Sequence, residues 1–287
     1  MNRSNSDFVK KQFNKQAEHF NQWAVTKNSA YLKAITEFIA PAPCDTLLDV
    51  ACGTGELTLF MAPQLKSATG IDIADRMIEI ALRQKDGLAI GNIDFKTADV
   101  FNIPFPDDSF DIVFSKSAFH HISEPLQVFG EMARCCKPNG KIGICDILAF
   151  DDAHVDGFFE RLEKAVDPSH YKTLSKNDYT RLLEAFTIKT DKIIEVEIEH
   201  PFAEYLSHAI RSRENENTVD ALVREAMNDT SVAVSRLGRS WMGLIRLQLN
   251  HAVRTQEPHV QELEAAAHAE QRIPQRSRRE RDDGGST

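Results

Sequence analysis

From Thr46 onward the chain alternates short runs of β-branched and aromatic residues with stretches whose apolar positions recur every three or four residues. That alternation is the mark of βαβ units and a parallel sheet. Seven runs read as strands: TLLDVA from Thr46, SATGIDI from Ser67, IDFKTAD from Ile93, FDIVFSKSAF from Phe110, KIGICDILA from Lys141, IKTDKIIEVEI from Ile188 and WMGLIRLQ from Trp241. Between the fourth and fifth lies SEPLQVFGEMARCCKPNG, where Leu126, Phe129, Met132, Ala133 and Cys136 form one stripe. Ser123 is its candidate cap, Pro125 belongs to its first turn, and Pro138, Asn139 and Gly140 stop it in a turn.

Upstream, residues 28–40 read as a capped helix with Leu32, Ile35, Phe38 and Ile39 on one face and Pro41 as the stop. Phe13, Ala17 and Phe20 also follow helical spacing, which predicts packing at the sheet edge rather than ligand contact. Beyond Asp146 the pattern predicts helices near 153–166 and 176–186. A polar helical stretch, 203–228, falls between the last two strands, a position suited to a lid over the strand ends.

The first strand runs into LLDVACGTGELT, residues 47–58, a glycine-broken turn that opens a helix. In doubly wound sheets ligands settle at the carboxyl ends of the strands, so this turn marks a ligand crevice. A dinucleotide site needs G-x-G-x-x-G, and Gly53-Thr54-Gly55-Glu56-Leu57-Thr58 lacks the third glycine; the P-loop GK[ST] is missing as well. Asp49, at the strand end, would repel a pyrophosphate but suits a ligand carrying an ammonium and a sulfonium, as S-adenosylmethionine does. Seventeen residues after Gly55, Asp72 ends the second strand, where a carboxylate can accept both hydrogens of a ribose diol. Asp99 ends the third and can take an adenine amino group.

The series LLDVACGTGELT, GIDIADRMIEIA, TADVFNIPFPDDSFDIVFSKSAFHHI and EMARCCKPNGKIGICD resembles the class I S-adenosylmethionine-dependent methyltransferases, in particular the ubiquinone/menaquinone-biosynthesis-type branch acting on small molecules. The likeness covers about residues 10–200. It implies a Rossmann-like three-layer α/β sandwich with a mostly parallel seven-stranded sheet, N-terminal helices and a helical lid insertion. It also implies that Asp49, Gly53, Thr54 and Gly55 surround the methionine end, that Asp72, Ile73 and Met77 hold the ribose and adenine, and that Asp99 and Val100 hold the adenine. Ser115 would lie beneath the methionine part through its backbone. Ala51 stands where the class pattern has its first glycine, so a slightly wider turn is expected there. The expected organisation is one methyltransferase domain over residues 1–253: N-terminal helices at 1–42, a cofactor-binding core at 43–150, and a substrate-side half at 151–253.

A sulfonium methyl is already electrophilic, so the protein needs mainly to bring a nucleophile in line and exclude water. An oxygen or acidic-carbon nucleophile would gain from a general base, and His120, His121 and Asp146 lie near the fourth and fifth strand ends, with His121 preferred. His154, His170, His200 and His208 show no ligand spacing, and no metal is expected. The predicted reaction is C- or O-methylation of a small molecule, leaving S-adenosylhomocysteine. The competing reading is a non-catalytic cofactor binder or assembly protein. A nucleic-acid methyltransferase fits less well: Ser115-Lys116-Ser117-Ala118 occupies the place of [DN]-P-P-[YF], and Pro43-Cys44 precedes the first strand.

Composition narrows partners and compartment. A chain of 287 residues, 42% of them hydrophobic, can bury one large α/β core. A formal net charge of -9 argues against nucleic acid as partner and favours a small molecule; a homodimer is a candidate assembly. Five cysteines without CxxC spacing suggest neither a disulfide framework nor zinc. No apolar leader or membrane-length apolar run occurs, so a cytoplasmic protein is expected. From about Arg254 the chain turns charged and polar, ending in PQRSRRERDDGGST, and residues 254–287 are expected to be a disordered tail.

Overall fold

A computed structural model of the chain describes residues 3–186, 190–199, 202–207, 209–229 and 239–248. Each element follows from its local chemistry. Helix α1 (Arg3–Phe20) is followed by α2 (Ser29–Ile39). The Asn28 side chain caps α2, accepting from the backbone N–H of Ala30 and Tyr31 at 3.0 and 3.2 Å. Leu32, Ile35, Phe38 and Ile39 make its buried face, and Ala40, at φ 50°, ends it before Pro41. Strand β1 (Thr46–Val50) leads through the glycine turn into α3 (Glu56–Met61). Then come β2 (Ser67–Asp72), α4 (Asp75–Leu88), β3 (Ile93–Thr97), β4 (Phe110–Lys116) and α5 (Pro125–Cys135). Strand β5 (Cys136–Ile147) closes the first half. The second half holds α6 (Ala153–Val166), α7 (Lys176–Ala185), β6 (Thr190–Glu199), α8 (Phe202–Ser207), α9 (Arg213–Asn228) and β7 (Arg239–Gln248).

The seven strands run in the order β3-β2-β1-β4-β5-β7-β6. Strands β1 to β5 pair in parallel, while β7 enters antiparallel between β5 and β6. The parallel character expected of the sheet is therefore confined to its first five strands. Strand order reverses between β1 and β4, which opens a crevice at their carboxyl ends.

Alternate strand residues face opposite layers. Leu47, Ile112, Phe114 and Cys145 pack with α2, α3 and α4. Leu48, Val50, Val113, Ile142 and Ile144 pack with Val128, Phe129 and Met132 of α5 and Leu182 and Leu183 of α7. These side chains are almost fully buried, and each large aliphatic or aromatic one contributes about 1.5–3 kcal/mol by leaving water. Smaller clusters join α6 to α9 and α1 to α4.

Three expectations need correction. Helix α5 begins at Pro125 with Glu124, not Ser123, at the cap position, and no side chain caps it. Proline at the first helical position has no N–H, so the helix opens with one fewer unpaired donor. The Pro138-Asn139-Gly140 stretch is not a turn that ends α5: β5 starts at Cys136, and the stretch is a bulge where Phe110 pairs Cys136 and Ile112 pairs Lys141, with Asn139 at φ 63°. Asp99 lies two residues beyond the end of β3 at Thr97, because the strand loses its partner once β2 ends at Asp72. The 203–228 stretch holds α8 and α9. The apolar face of α9, Val219, Leu222 and Ala226, packs with Phe158, Leu162 and Val166 of α6. No described helix is long and apolar enough to cross a membrane. The stretch assigned as a disordered tail lies outside the described residues, as do His200 and His208.

Candidate active site

A cavity of about 190 Å³ sits at the β1/β4 crevice and receives residues from both halves of the chain. The glycine turn forms one wall. Gly53 and Gly55 take φ of 56° and 85°, and Ala51 takes 59°, so the position where the class pattern carries glycine keeps a left-handed backbone here. A Cβ on Gly55 would fall 2.6 Å from the Phe95 ring, so glycine is required there by both conformation and space.

Asp72 holds this turn. Its carboxylate accepts from Gly53 N at 2.9 Å and from Ala74 N at 2.8 Å, tying β2, the turn and the start of α4 together. Burial raises its pKa, and these backbone donors counter that in part. Asp49 is buried behind the turn, where its carboxylate accepts from Thr58 Oγ1 at 2.6 Å. Burial lifts Asp49 to about 6, opposed by the Thr58 hydroxyl and Lys116. Of the residues expected to bind a cofactor, Ala51, Gly53, Asp72, Ile73, Met77, Asp99 and Val100 line the cavity. Asp49, Thr54, Gly55 and Ser115 stand behind that wall. Ser115 pairs with Val50 at the foot of the turn, and its buried Oγ has no hydrogen-bond partner among the described residues.

Sequence reasoning missed Glu56, which lines the cavity from the first residue of α3 with both carboxylate oxygens near the Thr54 hydroxyl, at 2.6 and 2.7 Å. It also placed Phe13 and Phe20 on the sheet edge. Both line the cavity instead, because Ala17 docks α1 on Ala74, just before α4, and on Met77 and Ile80 of α4, and so lays the helix across the crevice. Their spacing of seven residues was a visible sign of a shared face.

The two histidines after β4 differ sharply. A 3₁₀ turn, Phe119–His121, places His120 Nδ1 2.5 Å from Asp146 Oδ1. The same carboxylate accepts from Ala118 N and Phe119 N at 3.0 and 2.6 Å, so Asp146 both shapes the turn and orients the ring. Burial would push His120 down, but the facing Asp146 carboxylate prevails and its pKa is raised. Burial would likewise raise Asp146, and the His120 charge holds it below the usual carboxylate range. His121 is driven down to about 3 by burial and by neighbouring His120. It packs edge-on against Phe13 at 5.0 Å, and its Nδ1 lies 3.2 Å from Ser169 Oγ. The geometry separates the two: the residue with a carboxylate partner is His120, whereas His121, the expected preference, has the Ser169 hydroxyl beside it.

A third histidine joins them from the far half. His170 lines the cavity, 5.6 Å from His120 between ring centroids, with Nε2 3.2 Å from Glu160 Oε1. Nothing near His170 in the sequence links it to His120; the fold alone does. Tyr205 of α8 also reaches the wall, whereas α9 supplies none of the lining residues.

Residues 48–144, the span from β1 to β5, match the family described as a methyltransferase domain. Over these residues the chain carries a methyltransferase domain. Over 139 residues it is 31% identical to the uncharacterized methyltransferase YcgJ of Bacillus subtilis, covering 48% of this chain and 55% of that one. The structure of YcgJ superimposes with a TM-score of 0.64 at 22% identity, covering 76% of this chain and 97% of that one, which shows a common fold. A demethylmenaquinone methyltransferase of Clavibacter sepedonicus is 30% identical over 154 residues, 54% of this chain and 62% of that one. A 27-O-demethylrifamycin SV methyltransferase of Amycolatopsis mediterranei is 34% identical over 109 residues, 36% and 39%. The methyltransferase domain thus spans about half the length of these relatives. The cofactor of the domain class is S-adenosylmethionine, and the cavity suits it: the acidic residues Glu56, Asp72 and Asp99 line it, which would favour a cationic, diol-bearing ligand, beside a turn opened by left-handed residues.

Proposed function

We propose that this protein methylates a hydroxyl group of a small, largely apolar acceptor, with His120 as the base. The observation that carries this reading is the His120–Asp146 pair on the wall of the cavity that also holds the glycine turn. When bound, S-adenosylmethionine supplies an electrophilic methyl on sulfur.

The residues in and behind the cavity wall then divide the work. Asp72 is placed for the ribose diol, Asp99 and Val100 for the adenine, and Ala51 to Gly53 for the methionine end, with Asp49, Thr54, Gly55 and Ser115 supporting the turn from behind. Ile73 and Met77 give the adenine an apolar seat. On the acceptor side, Val9, Phe13, Trp23, Val25 and Ile122 exclude water and seat an apolar ring system. Asp146 holds Nδ1 of His120, which leaves Nε2 to take the acceptor's proton as its oxygen attacks. The imidazolium so formed is stabilised by the same carboxylate. The names of two relatives, for a demethylmenaquinone and a demethylrifamycin, support a small-molecule acceptor.

The test begins with calorimetric titration of the purified protein with S-adenosylmethionine and S-adenosylhomocysteine, followed by transfer of a labelled methyl to simple phenols. Micromolar binding of both ligands and label on the phenolic oxygen are expected. Binding without transfer to any hydroxylated acceptor would favour the non-catalytic alternative, and no binding would overturn the reading altogether.

A further inference from the structure

The carboxylates beside the glycine turn have donors within the protein. Asp72 accepts from two backbone N–H groups, Glu56 from the Thr54 hydroxyl, and Asp99 from Phe101 N at 3.0 Å. The cation of the wall has no such partner. Among the described residues that line the cavity, Lys116 is the only lysine or arginine, and no carboxylate of the described residues comes within ion-pair reach of it.

The sheet explains why. Lys116 ends β4 and follows Ser115, which pairs with Val50, so it lies level with Ala51 at the start of the turn. Across β5 it pairs with Cys145, and the two side chains leave the same face of the sheet. Asp49 belongs to that face as well, since it pairs with Phe114, two residues before Lys116. Its carboxylate is turned to Thr58 Oγ1 at 2.6 Å, and Lys116 acts on it only from beyond ion-pair distance, as one of the groups that oppose the rise in its pKa. Cys145 brings no charge: burial pushes its thiol up to about 12, and the Tyr31 hydroxyl lies 3.0 Å from its sulfur. A cation on the wall of a partly enclosed cavity, neighboured by a thiol and a hydroxyl, is placed for an anion that arrives with a ligand.

Building on the methyl-transfer reading, we propose that Lys116 is the carboxylate subsite of this cavity, its ammonium pairing with a carboxylate of a bound ligand. Two ligands can bring one. S-adenosylmethionine has a carboxylate at its methionine end, and Lys116 stands level with the turn where that end is placed. The other is an acceptor with a carboxylate of its own. The position of Lys116 beside Ala51 favours the cofactor. Without this cation, Glu56, Asp72 and Asp99 would still suit the sulfonium and ammonium, but they would repel the carboxylate that the same molecule carries.

The first probes are S-adenosylmethionine and its decarboxylated analogue, which keeps both cationic groups, each titrated calorimetrically into the full chain. The parent protein is expected to bind the intact cofactor about tenfold to a hundredfold more tightly, the range of a hydrogen bond to a charged group. Lys116→Met keeps the apolar stem and removes the charge, so the ratio should fall to near one, whereas Lys116→Arg should keep most of it. Each ratio compares two ligands on one protein, so a loosened turn lowers both affinities and leaves the ratio unchanged. The second probes are benzoate and benzamide, titrated into the complex with S-adenosylhomocysteine. If the acceptor is the source, the cofactor ratio survives Lys116→Met, while a preference of the parent for benzoate over benzamide disappears in that variant. If neither preference depends on Lys116, the subsite is overturned and the methyl-transfer reading stands. Failure of the parent to bind S-adenosylmethionine and S-adenosylhomocysteine would overturn that reading and the subsite with it.

Discussion

The side of the cavity proposed for the cofactor draws Ala51, Gly53, Asp72, Met77 and Asp99 from consecutive βα units, whereas the side proposed for the acceptor draws Phe13, His120, His170 and Tyr205 from segments scattered across the chain. The first side is held by backbone: strand ends in register, left-handed turn residues, and Asp72 bridging two backbone N–H groups. The second is held by polar ties between distant segments. Asn5 Nδ2 donates to the His121 carbonyl at 3.1 Å, Gln16 Nε2 to Asp167 at 3.3 Å, and Gln12 Nε2 to the Ile210 carbonyl at 2.9 Å. A single net hydrogen bond of this kind contributes about 1 kcal/mol, so the acceptor side can be remodelled by a few substitutions while the cofactor side stands. One domain can thereby keep its cofactor and change its substrate.

If the two sides are separable, His120→Ala should break chemistry without breaking cofactor binding. Loss of a positioned base predicts a fall in kcat of about 10²–10⁴ with S-adenosylmethionine affinity unchanged, read by single-turnover transfer beside calorimetry. The parent enzyme should show the matching pH profile. Because Asp146 raises the His120 pKa, the base form appears only above the ordinary histidine value, about 6.5, and kcat should climb as pH rises through that range. A flat profile from mildly acidic to alkaline pH would remove His120 from the mechanism.

Asp72→Ala attacks the other side and should give the reverse pattern. Removing a carboxylate placed for the ribose, and with it the tie to Gly53 N, should cost about 1–3 kcal/mol of cofactor affinity while kcat at saturating cofactor stays near the parent value. Unchanged affinity in calorimetry would sink that placement.

This contrast also explains what the sequence made legible. The turn at 51–55, the aspartates near the ends of β1 and β2 and the existence of the parallel strands β1 to β5 could be read, because each is set by residues adjacent in the chain: glycines that permit positive φ, and runs of β-branched and aromatic residues that name the strands. The proposed base was half legible. FHHI named a pair of histidines, but only the fold showed that Asp146, on the next strand, faces His120 and leaves His121 against Phe13. His170 carried no local signal, since its partner Glu160 lies on α6 and its neighbour His120 follows β4. The cavity wall made by α1 was hidden for a related reason: Phe13 and Phe20 look like core residues by spacing, and docking on α4 decides otherwise.

Gly55→Ala sharpens the comparison through stability. The new methyl would meet the Phe95 ring at 2.6 Å in a backbone at φ 85°, and strain plus overpacking of this kind costs about 1–3 kcal/mol. A lower melting temperature is expected, with weaker cofactor binding following from the displaced turn. An unchanged melting temperature would mean that Phe95 moves aside freely.

Ala51→Gly should have the smallest effect, and its sign is informative. At φ 59° an alanine carries a left-handed strain of about 1–2 kcal/mol, whereas glycine adopts the same backbone without it. Against that gain stand the greater freedom of glycine in the unfolded chain, about 0.5–1 kcal/mol, and the loss of a methyl that packs against the core beside Val50 and Ile71. The balance predicts a change within about 1 kcal/mol, measured by denaturant titration, and cofactor affinity equal to the parent's. A clear loss of stability would show that the methyl is a packed part of the core, in which case alanine holds this turn by filling space and the glycine of the class pattern would leave a gap here.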